Sequence, residues 1–395
     1  MRIAFTKEQE TLRLELRDYF AQLMTPEVQE AMASGQGEYG GGDLYRRLVR
    51  QMGEDGWLGI GWPTEYGGQG RSMLEQLIFM DEANLAGAPV PFLTINTVGP
   101  TLMHYGTDEQ RQAFLPEILR GELHFSIGYS EPGAGTDLAS LTTRAERDGD
   151  EYVINGQKMW TSLIQYADYV WLAARTNPDV SKHKGLSIFL VPTTSAGFSW
   201  TPVTTMSGTT TSATYYDDVR VPVANLVGEQ DKGWRLITSQ LNHERVALCS
   251  AAGLQHLLAD VRSWARETTL PDDGRRVIDQ EWVQVHLARV HAKVEYLKLI
   301  NWKIAWGVRN GVGPQDASAT KVFGTELSTE AYRLLMEVLG EEAAVRAGSP
   351  GSLLRSRLER AHRSALILTF GGGTNEVQRD IIAMVGLGLP RAPRR

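Results

Sequence analysis

The sequence predicts an α+β multidomain protein. An N-terminal helical domain covers residues 1–122, a middle antiparallel β-sandwich or barrel covers 123–231, and a C-terminal, four-helix-bundle-like domain covers 232–395. Three observations predict it. The chain has 395 residues, more than the roughly 100–200 of one domain. Apolar residues recur at helical spacing up to about residue 122, give way to short β-branched and aromatic runs, and return to helical spacing from Gly233. No helical stretch separates the middle strands, so the strand–helix alternation of a doubly wound or barrel α/β fold is missing.

Each element has a local reason. Leu12, Leu16, Tyr19, Phe20 and Leu23 form the first helical face, and Thr6 with Gln9 makes a capping-box pattern in front of it. Pro26 ends this segment or starts the next helix. A break containing Gly35, Gly37, Gly40, Gly41 and Gly42 precedes a helix over about 43–55. Trp62 to Gly70 is a loop, and further helices span about 72–87, 91–105 and 108–120. In the middle region Tyr152-Val153-Ile154 leads into Asn155-Gly156, read as a hairpin turn. Tyr169–Ala174, Leu186–Val191 and Ala213–Tyr216 are further strands. Long helices then cover about 233–268, 279–310 and 315–340, with a last pair around 351–369 and 375–385.

Composition excludes several function classes. Hydrophobic residues make up 42% and charged residues 22%, the balance of a globular chain. A net charge of −7 argues against a nucleic-acid partner. Cys249 is the single cysteine, so an internal disulfide and a cysteine-built zinc or iron–sulfur site are excluded. The eight histidines show no metal spacing, and no metal is expected. No apolar run approaches the roughly 18 residues of a membrane span. The first eight residues lack a signal-peptide core, so a cytoplasmic location is expected. Glycine is in excess, 40 residues, or about a tenth against a usual level of about 7%.

Four segments could carry chemistry, and each has a plainer reading. Tyr129-Ser130-Glu131-Pro132-Gly133-Ala134-Gly135-Thr136-Asp137 could cradle an anion on free N–H groups, or be an ordinary Pro-Gly turn. Its sixth position and its surroundings do not fit a dinucleotide fingerprint. Lys158-Met159-Trp160-Thr161-Ser162 could stack an indole on a flat heteroaromatic ring, or pack Trp160 into the core. Glu244 interrupts the apolar stripe Ile237, Leu241, Leu248, Ala251. Buried there, it would be a poised base; drawn otherwise, it pairs at the surface with His243 or Arg245. Phe370-Gly371-Gly372-Gly373-Thr374-Asn375-Glu376-Val377-Gln378 opens the last helix, with Thr374 or Asn375 as N-cap. It could hold an anion on its backbone, or be a tight interhelical turn. Cys249, among Ala247, Leu248 and Ala251, reads as structural.

Together these segments resemble the acyl-CoA dehydrogenase family along essentially the whole chain. Residues 62–70 are similar to its Pro-x-Glu-Tyr-Gly-Gly-x-Gly loop. Residues 129–137 are similar to its Thr-Glu-Pro-x-Ala-Gly-Ser-Asp element. Residues 155–162 are similar to its Asn-Gly-x-Lys-x-Trp-x-Thr/Ser strand, and 373–378 to its Gly-Thr-x-x-x-Gln element. The resemblance implies FAD as cofactor and α,β-dehydrogenation of an acyl-CoA thioester, a carboxylate taking the α-proton while the β-hydrogen leaves as hydride. It places Tyr129 and Ser130 at the flavin pyrimidine edge, and Gly135 and Thr136 near the FAD phosphates or the thioester end of the substrate. Trp160 would lie over the flavin, Ser162 near its N5, and Thr374 and Glu376 towards the rest of the cofactor. The Gly372 N–H would polarise the thioester carbonyl. The segment around Phe92, Leu93, Asn96 and Val98 matches the floor of the family's acyl pocket.

Two departures sharpen the resemblance. The usual catalytic glutamate precedes the Gly-Thr pair, where this chain has Gly372. A minority of members place that glutamate on the long helix before an arginine, which matches Glu244 and Arg245, with Arg245 on the substrate side. The segments that homotetrameric members lend to a neighbouring FAD site are not intact at Arg275–Asp279 and Glu337–Glu342. The chain is therefore most similar to the FAD- and base-bearing subunit of actinobacterial α2β2 dehydrogenases acting on steroid side chains. Asn242–Val246 and Phe370–Glu376 carry that closer likeness. Expected partners are an acyl-CoA substrate, a paralogous subunit or a second copy of the chain, and an electron-transferring flavoprotein. Two rivals stay open: a catalytically weak or inactive structural subunit, and an oxidase on the same fold.

Overall fold

A computed structural model describes residues 3–34, 42–247, 249–270, 274–307, 313–345 and 352–391, the side chains of 33–34, 241–247, 352–353 and 355–356 excepted. In chain order the helices are α1 (Lys7–Leu23), α2 (Pro26–Ser34), α3 (Asp43–Glu54), α4 (Met73–Ala86), α5 (Gly99–Tyr105) and α6 (Asp108–Leu119). After the strands come α7 (Gly233–Ala247), α8 (Ala252–Glu267), α9 (Glu281–Gly307), α10 (Pro314–Leu339), α11 (Ser352–Leu368) and α12 (Asn375–Ile381). The strands are β1 (Phe125–Gly128), β2 (Arg144–Asp148), β3 (Glu151–Lys158), β4 (Tyr169–Arg175), β5 (Leu186–Pro192), β6 (Phe198–Thr204), β7 (Thr210–Pro222) and β8 (Leu226–Val227). The helical, β, helical order of the sequence reading is observed.

Contacts divide the chain into two interleaved units. One comprises Met1–Pro26, Ser72–Ala88 and Arg245–Arg395; the other comprises Glu27–Arg71 and Pro89–Glu244.

The first unit is helical. Thr6 caps α1 with its expected capping box, and Ser72 and Glu75 form the same device at α4. Leu12, Leu16 and Phe20 recur every four residues and face inward, and the Phe20 and Phe79 rings lie 5.7 Å apart. Glu82 is buried in this seam with Arg17 at 2.9 Å and Arg13 at 3.3 Å, so its charge is paired. In α9 the buried residues Val283, Leu287, Val290, Val294 and Leu297 alternate in steps of four and three. They share one core with Leu254, Leu258 and Val261 of α8, Leu327, Ala331 and Leu335 of α10, and Leu358 of α11.

The continuous helix expected over 233–268 is two helices. Ser250 breaks it: its hydroxyl accepts from Ala252 N (3.1 Å) and donates to Asp81 Oδ1 (2.7 Å), while Asn301 Nδ2 donates to the Cys249 carbonyl (2.8 Å). Cys249 is buried, and burial pushes its thiol up to about 12, as suits a structural cysteine.

The second unit carries an eight-stranded sheet in the order β6-β7-β3-β2-β4-β5-β8, with β1 paired to β4. Most pairs are antiparallel; β1 runs parallel to β4, and β2 meets β4 in parallel at Arg144 and Arg175. Val170–Ala174 and Leu186–Val191 are buried at every position, so these strands read as continuous apolar runs. The hairpin expected at Asn155-Gly156 is not there. Those residues lie inside β3, at a register shift against β7, and Asn155 exchanges hydrogen bonds with Asp218 across it. The β2–β3 turn sits instead at Gly149-Asp150, where Gly149 has φ +62°.

No described helix is long and apolar enough to cross a membrane.

Candidate active site

The segment Tyr129–Asp137 leaves β1 and doubles back at once. Glu131 and Ala134 exchange backbone hydrogen bonds of 3.0 and 3.1 Å, so Pro132-Gly133 is a tight turn. Its anchor is the Glu131 carboxylate, which accepts from Thr142 N (2.7 Å), Thr143 N (2.8 Å) and Lys158 Nζ (2.8 Å). Lys158 is fully buried and also donates to the Tyr129 carbonyl (3.0 Å). Burial alone would raise the Glu131 carboxyl, but Lys158 and the hydrogen bonds from Thr142 and Thr143 hold it down at about 2. A buried ion pair thus clips the turn to the end of β3.

Beyond that clip the turn opens outward. Gly135 and Thr136 are exposed, and a Cβ built on Gly133 or Gly135 would meet no atom within 4 Å. Neither glycine has a positive φ. The fold itself therefore demands no glycine at either position, and both leave the backbone open to close approach. Ser130 receives Met159 N on its carbonyl (2.8 Å), which ties the turn to the next candidate segment.

Trp160 is not a core residue. It is 56% exposed and sits at φ +64°, in the left-handed region that a tryptophan rarely adopts. The backbone is held there by Thr161 N donating to Ser212 O (2.9 Å) and Ser162 N donating to Trp160 O (3.0 Å). The Ser162 hydroxyl lies 3.2 Å from Thr211 Oγ1. An indole is presented to the outside beside a hydroxyl pair, an arrangement that can stack a flat heteroaromatic ring and hydrogen-bond its edge.

Tyr129 is buried, and its hydroxyl is spent internally: it accepts from Trp171 Nε1 (3.0 Å) and donates to Gln240 Oε1. Any ligand contact it makes falls to its backbone. Gln240, on α7, also lines a cavity of about 320 Å3 with Asn96, Thr97, Thr101, His104 and Ser239. Asn96 belonged to the expected acyl-pocket segment; Gln240 did not, and its place on the helix face after Ile237 was the available signal.

The Gly371–Thr374 turn belongs to the helical unit. Gly372 and Gly373 have φ +66° and +90°, so here the backbone itself requires glycine. Among the described residues, the N–H groups of Gly372 and Thr374 make no hydrogen bond. Thr374 is the N-cap of α12, its hydroxyl accepting from Val377 N (3.2 Å). Gln378 Nε2 donates to the Gly372 carbonyl (3.3 Å) and its Oε1 accepts from Ser318 (2.8 Å). Glu376 is exposed, its carboxyl lowered by its own backbone N–H and by the Thr374 hydroxyl.

Tyr129, Ser130, Gly135, Thr136, Trp160 and Ser162 fall in the sheet-bearing unit, and Gly372, Thr374 and Glu376 in the helical one. Glu244 and Arg245 lie on the described backbone of α7, but their side chains lie outside the described residues. Among the described residues, no group of three or more His, Cys, Asp or Glu could hold a metal ion.

In the sheet-bearing unit, the exposed indole, the hydroxyls beside it and the unobstructed backbone at Gly133 and Gly135 suit a ligand with a flat polar ring and anionic groups. FAD fits that donor set.

Comparison with known proteins agrees with this chemistry. Family models match three successive stretches: the acyl-CoA dehydrogenase N-terminal domain over residues 6–122, the middle domain over 126–219 and the C-terminal domain over 231–387. The chain is 68% identical over 401 residues to acyl-CoA dehydrogenase FadE26 of Mycobacterium tuberculosis, covering 100% of both chains. It is 46% identical to FadE29 of the same organism, again over 100% of both. Among solved structures, it is similar to a chain of the ChsE4-ChsE5 complex from Mycobacterium tuberculosis, with TM-score 0.93 and 68% identity over 99% of this chain and 100% of that one. It is also similar to a chain of the Tcur3481-Tcur3483 steroid ACAD, with TM-score 0.93 and 50% identity over 99% and 100%.

Proposed function

The chain belongs to the acyl-CoA dehydrogenase family, whose members are FAD-dependent flavoproteins, and on that premise we propose how its own residues divide the work. Trp160, Ser162, Ser130 and the backbone of Tyr129 hold the flavin ring, with Gly135 and Thr136 towards the phosphates or the thioester. Thr374 and Glu376 face the remainder of the cofactor. When bound, FAD supplies the acceptor for the hydride that leaves the β-carbon. Glu244 takes the α-proton, and Arg245 lies on the substrate side. The Gly372 N–H donates to the thioester oxygen, where negative charge grows as the proton departs. Glycine at 372 also leaves the α-carbon free of a side chain from that direction. The three-part division at 122/123 and 231/232 belongs to the same reading.

The observation that carries this reading is Trp160, a mostly exposed tryptophan held on a left-handed backbone. The test is anaerobic bleaching of the flavin by a panel of acyl-CoA thioesters, run on the native enzyme and on Glu244→Gln. The variant should keep FAD and lose at least about 100-fold in bleaching rate. Near-normal bleaching would remove Glu244 from the role.

We further propose that the substrate is a steroid side-chain thioester and that a paralogous subunit completes an α2β2 assembly, with an electron-transferring flavoprotein as acceptor. Three observations support this. The similar ChsE4-ChsE5 and Tcur3481-Tcur3483 structures are complexes, the second a steroid ACAD. In the stretches expected to serve a neighbour's cofactor, Arg276 is tied to Asp279 (2.9 Å), and Glu337 to His286 (2.8 Å) and Arg333. The 320 Å3 cavity lies within the usual range of about 300–1,000 Å3 for small-molecule sites. Co-expression with the neighbouring paralogue should raise bound FAD; a yellow, fully active homo-oligomer would overturn the heteromeric assembly.

The glycine at position 372 also favours a second reading, a structural subunit without turnover. A purified complex whose flavin is not bleached by any thioester would establish it.

A further inference from the structure

The Gly371–Thr374 turn is three glycines long, and glycine is the residue that most needs to be held if its N–H groups are to keep one direction. What holds it comes from α10. Ser318, Lys321 and Thr325 recur at steps of three and four on one face of that helix, and all three are buried. Lys321 is fully buried, and its Nζ donates to the Gly373 carbonyl (2.8 Å) and to Asn375 Oδ1 (2.7 Å). Ser318 donates to Gln378 Oε1 (2.8 Å), whose Nε2 reaches the Gly372 carbonyl (3.3 Å). Thr325 Oγ1 accepts from Asn375 Nδ2 (3.1 Å).

A trans peptide is planar, with its N–H pointing opposite to its C=O. The Gln378 amide on the Gly372 carbonyl therefore fixes the plane of the peptide that carries the Gly373 N–H, and Lys321 on the Gly373 carbonyl points the Thr374 N–H away from α10. A buried ammonium is costly to place, and a neutral donor would serve for packing alone. A charge-assisted bond is stronger and sets direction more firmly.

We propose that Lys321 is a positioning residue: through the Gly373 carbonyl it holds the triple-glycine turn in one conformation, and so fixes the direction of the Gly372 N–H that donates to the thioester oxygen. This rests on the reading above, in which the turn faces the thioester. The idea separates Lys321 from the rest of its cradle. Thr325 supports Asn375 without touching either gripped carbonyl.

The experiment is isotope-edited infrared spectroscopy of the carbonyl stretch of a 13C-labelled enoyl-CoA bound to the holoenzyme complex, with kcat and KM measured alongside. Native enzyme should lower the stretch relative to free ligand. In Lys321→Met the stretch should return towards the free value, and kcat should fall roughly 10- to 100-fold with KM changed less than about threefold. Thr325→Val should lower the Tm and leave the stretch where the native enzyme puts it. Should Lys321→Met not fold, Lys321→Gln, which keeps an amide donor in that space, carries the same readout. A native-like stretch in the Lys321 variant, with only Tm lost, would overturn the positioning role. A native enzyme that does not shift the stretch at all would instead overturn the placement of the turn at the thioester.

Discussion

Lys158 Nζ lies 2.8 Å from Glu131 Oε1, and almost none of either side chain reaches solvent. Removing one partner strands the other charge, so Glu131→Gln should cost about 3–5 kcal/mol in urea unfolding at pH 7. Adding Lys158→Met to it should recover part of that loss. The pH sign follows from a carboxyl held at about 2 against an ordinary 4.5. The stabilisation is complete above about 4.5 and is lost as pH falls towards 2. A flat native stability between pH 5 and 2.5 would contradict the pairing.

Asp81 gives the opposite sign. Burial raises its carboxyl from 3.8 to about 6, against the Ser250 hydroxyl, which lowers it. The folded state keeps a proton that the unfolded chain has released. This site therefore withdraws stability as pH climbs from about 4 to 6, and the penalty stays above 6. Asp81→Asn can still accept from Ser250. It should add on the order of 1 kcal/mol at pH 7.5 and flatten the profile between pH 4 and 6. If the variant is less stable than native at pH 7.5, the carboxylate is welcome there after all.

At Trp160, stability and function should separate. The side chain is mostly exposed and the backbone is left-handed, so Trp160→Gly should raise stability by about 1 kcal/mol or leave it unchanged. FAD should bind more weakly, read by fluorescence as flavin is released on dilution. A variant that unfolds earlier and holds FAD normally would show the indole to be a packing residue.

The glycines divide into two kinds that a matched pair of alanines distinguishes. Gly135→Ala places its methyl in open space, so its Tm should match native, while its FAD or thioester affinity drops. Gly373→Ala must adopt φ +90°, and should lose about 1 kcal/mol or more in stability whatever is bound. Equal Tm losses at both positions would erase the distinction.

The domain order, most helix bounds and the Thr6 cap were legible because they depend on periodicity and on residues three or four apart. The two misreadings share a cause: long-range partners overrode a local signal. Asn155-Gly156 carries strong hairpin chemistry, but β7 pairs along the whole of β3 and Asp218 takes up the Asn155 amide, which leaves a bulge. The helix over 233–268 has an unbroken apolar period, yet Asp81 and Asn301 reach in at Ser250 and Cys249 and interrupt it. At the candidate site, the motif residues were legible while their supports were not. Lys158 was read as part of a segment whose interest lay in Trp160, and its partner Glu131 is 27 residues away. Lys321 left a trace of the same kind as Glu244, a charge inside an apolar helix, without a nearby motif to draw notice to it.

The interleaving of the two units bears on synthesis. Helix α4 packs against α1 but also against α8 and α9, whose residues run from 252 to 307. A ribosome adding about 5–20 residues per second needs on the order of 10–40 seconds to travel from one set to the other. During that interval the inward face of α4, with Ile78, Phe79 and Ala83, has only part of its final cover. The nascent chain therefore carries an apolar helix pair that must be shielded by a chaperone or by transient burial. Slowed elongation between codons 88 and 250 should send more of this protein into inclusion bodies than slowing after codon 310.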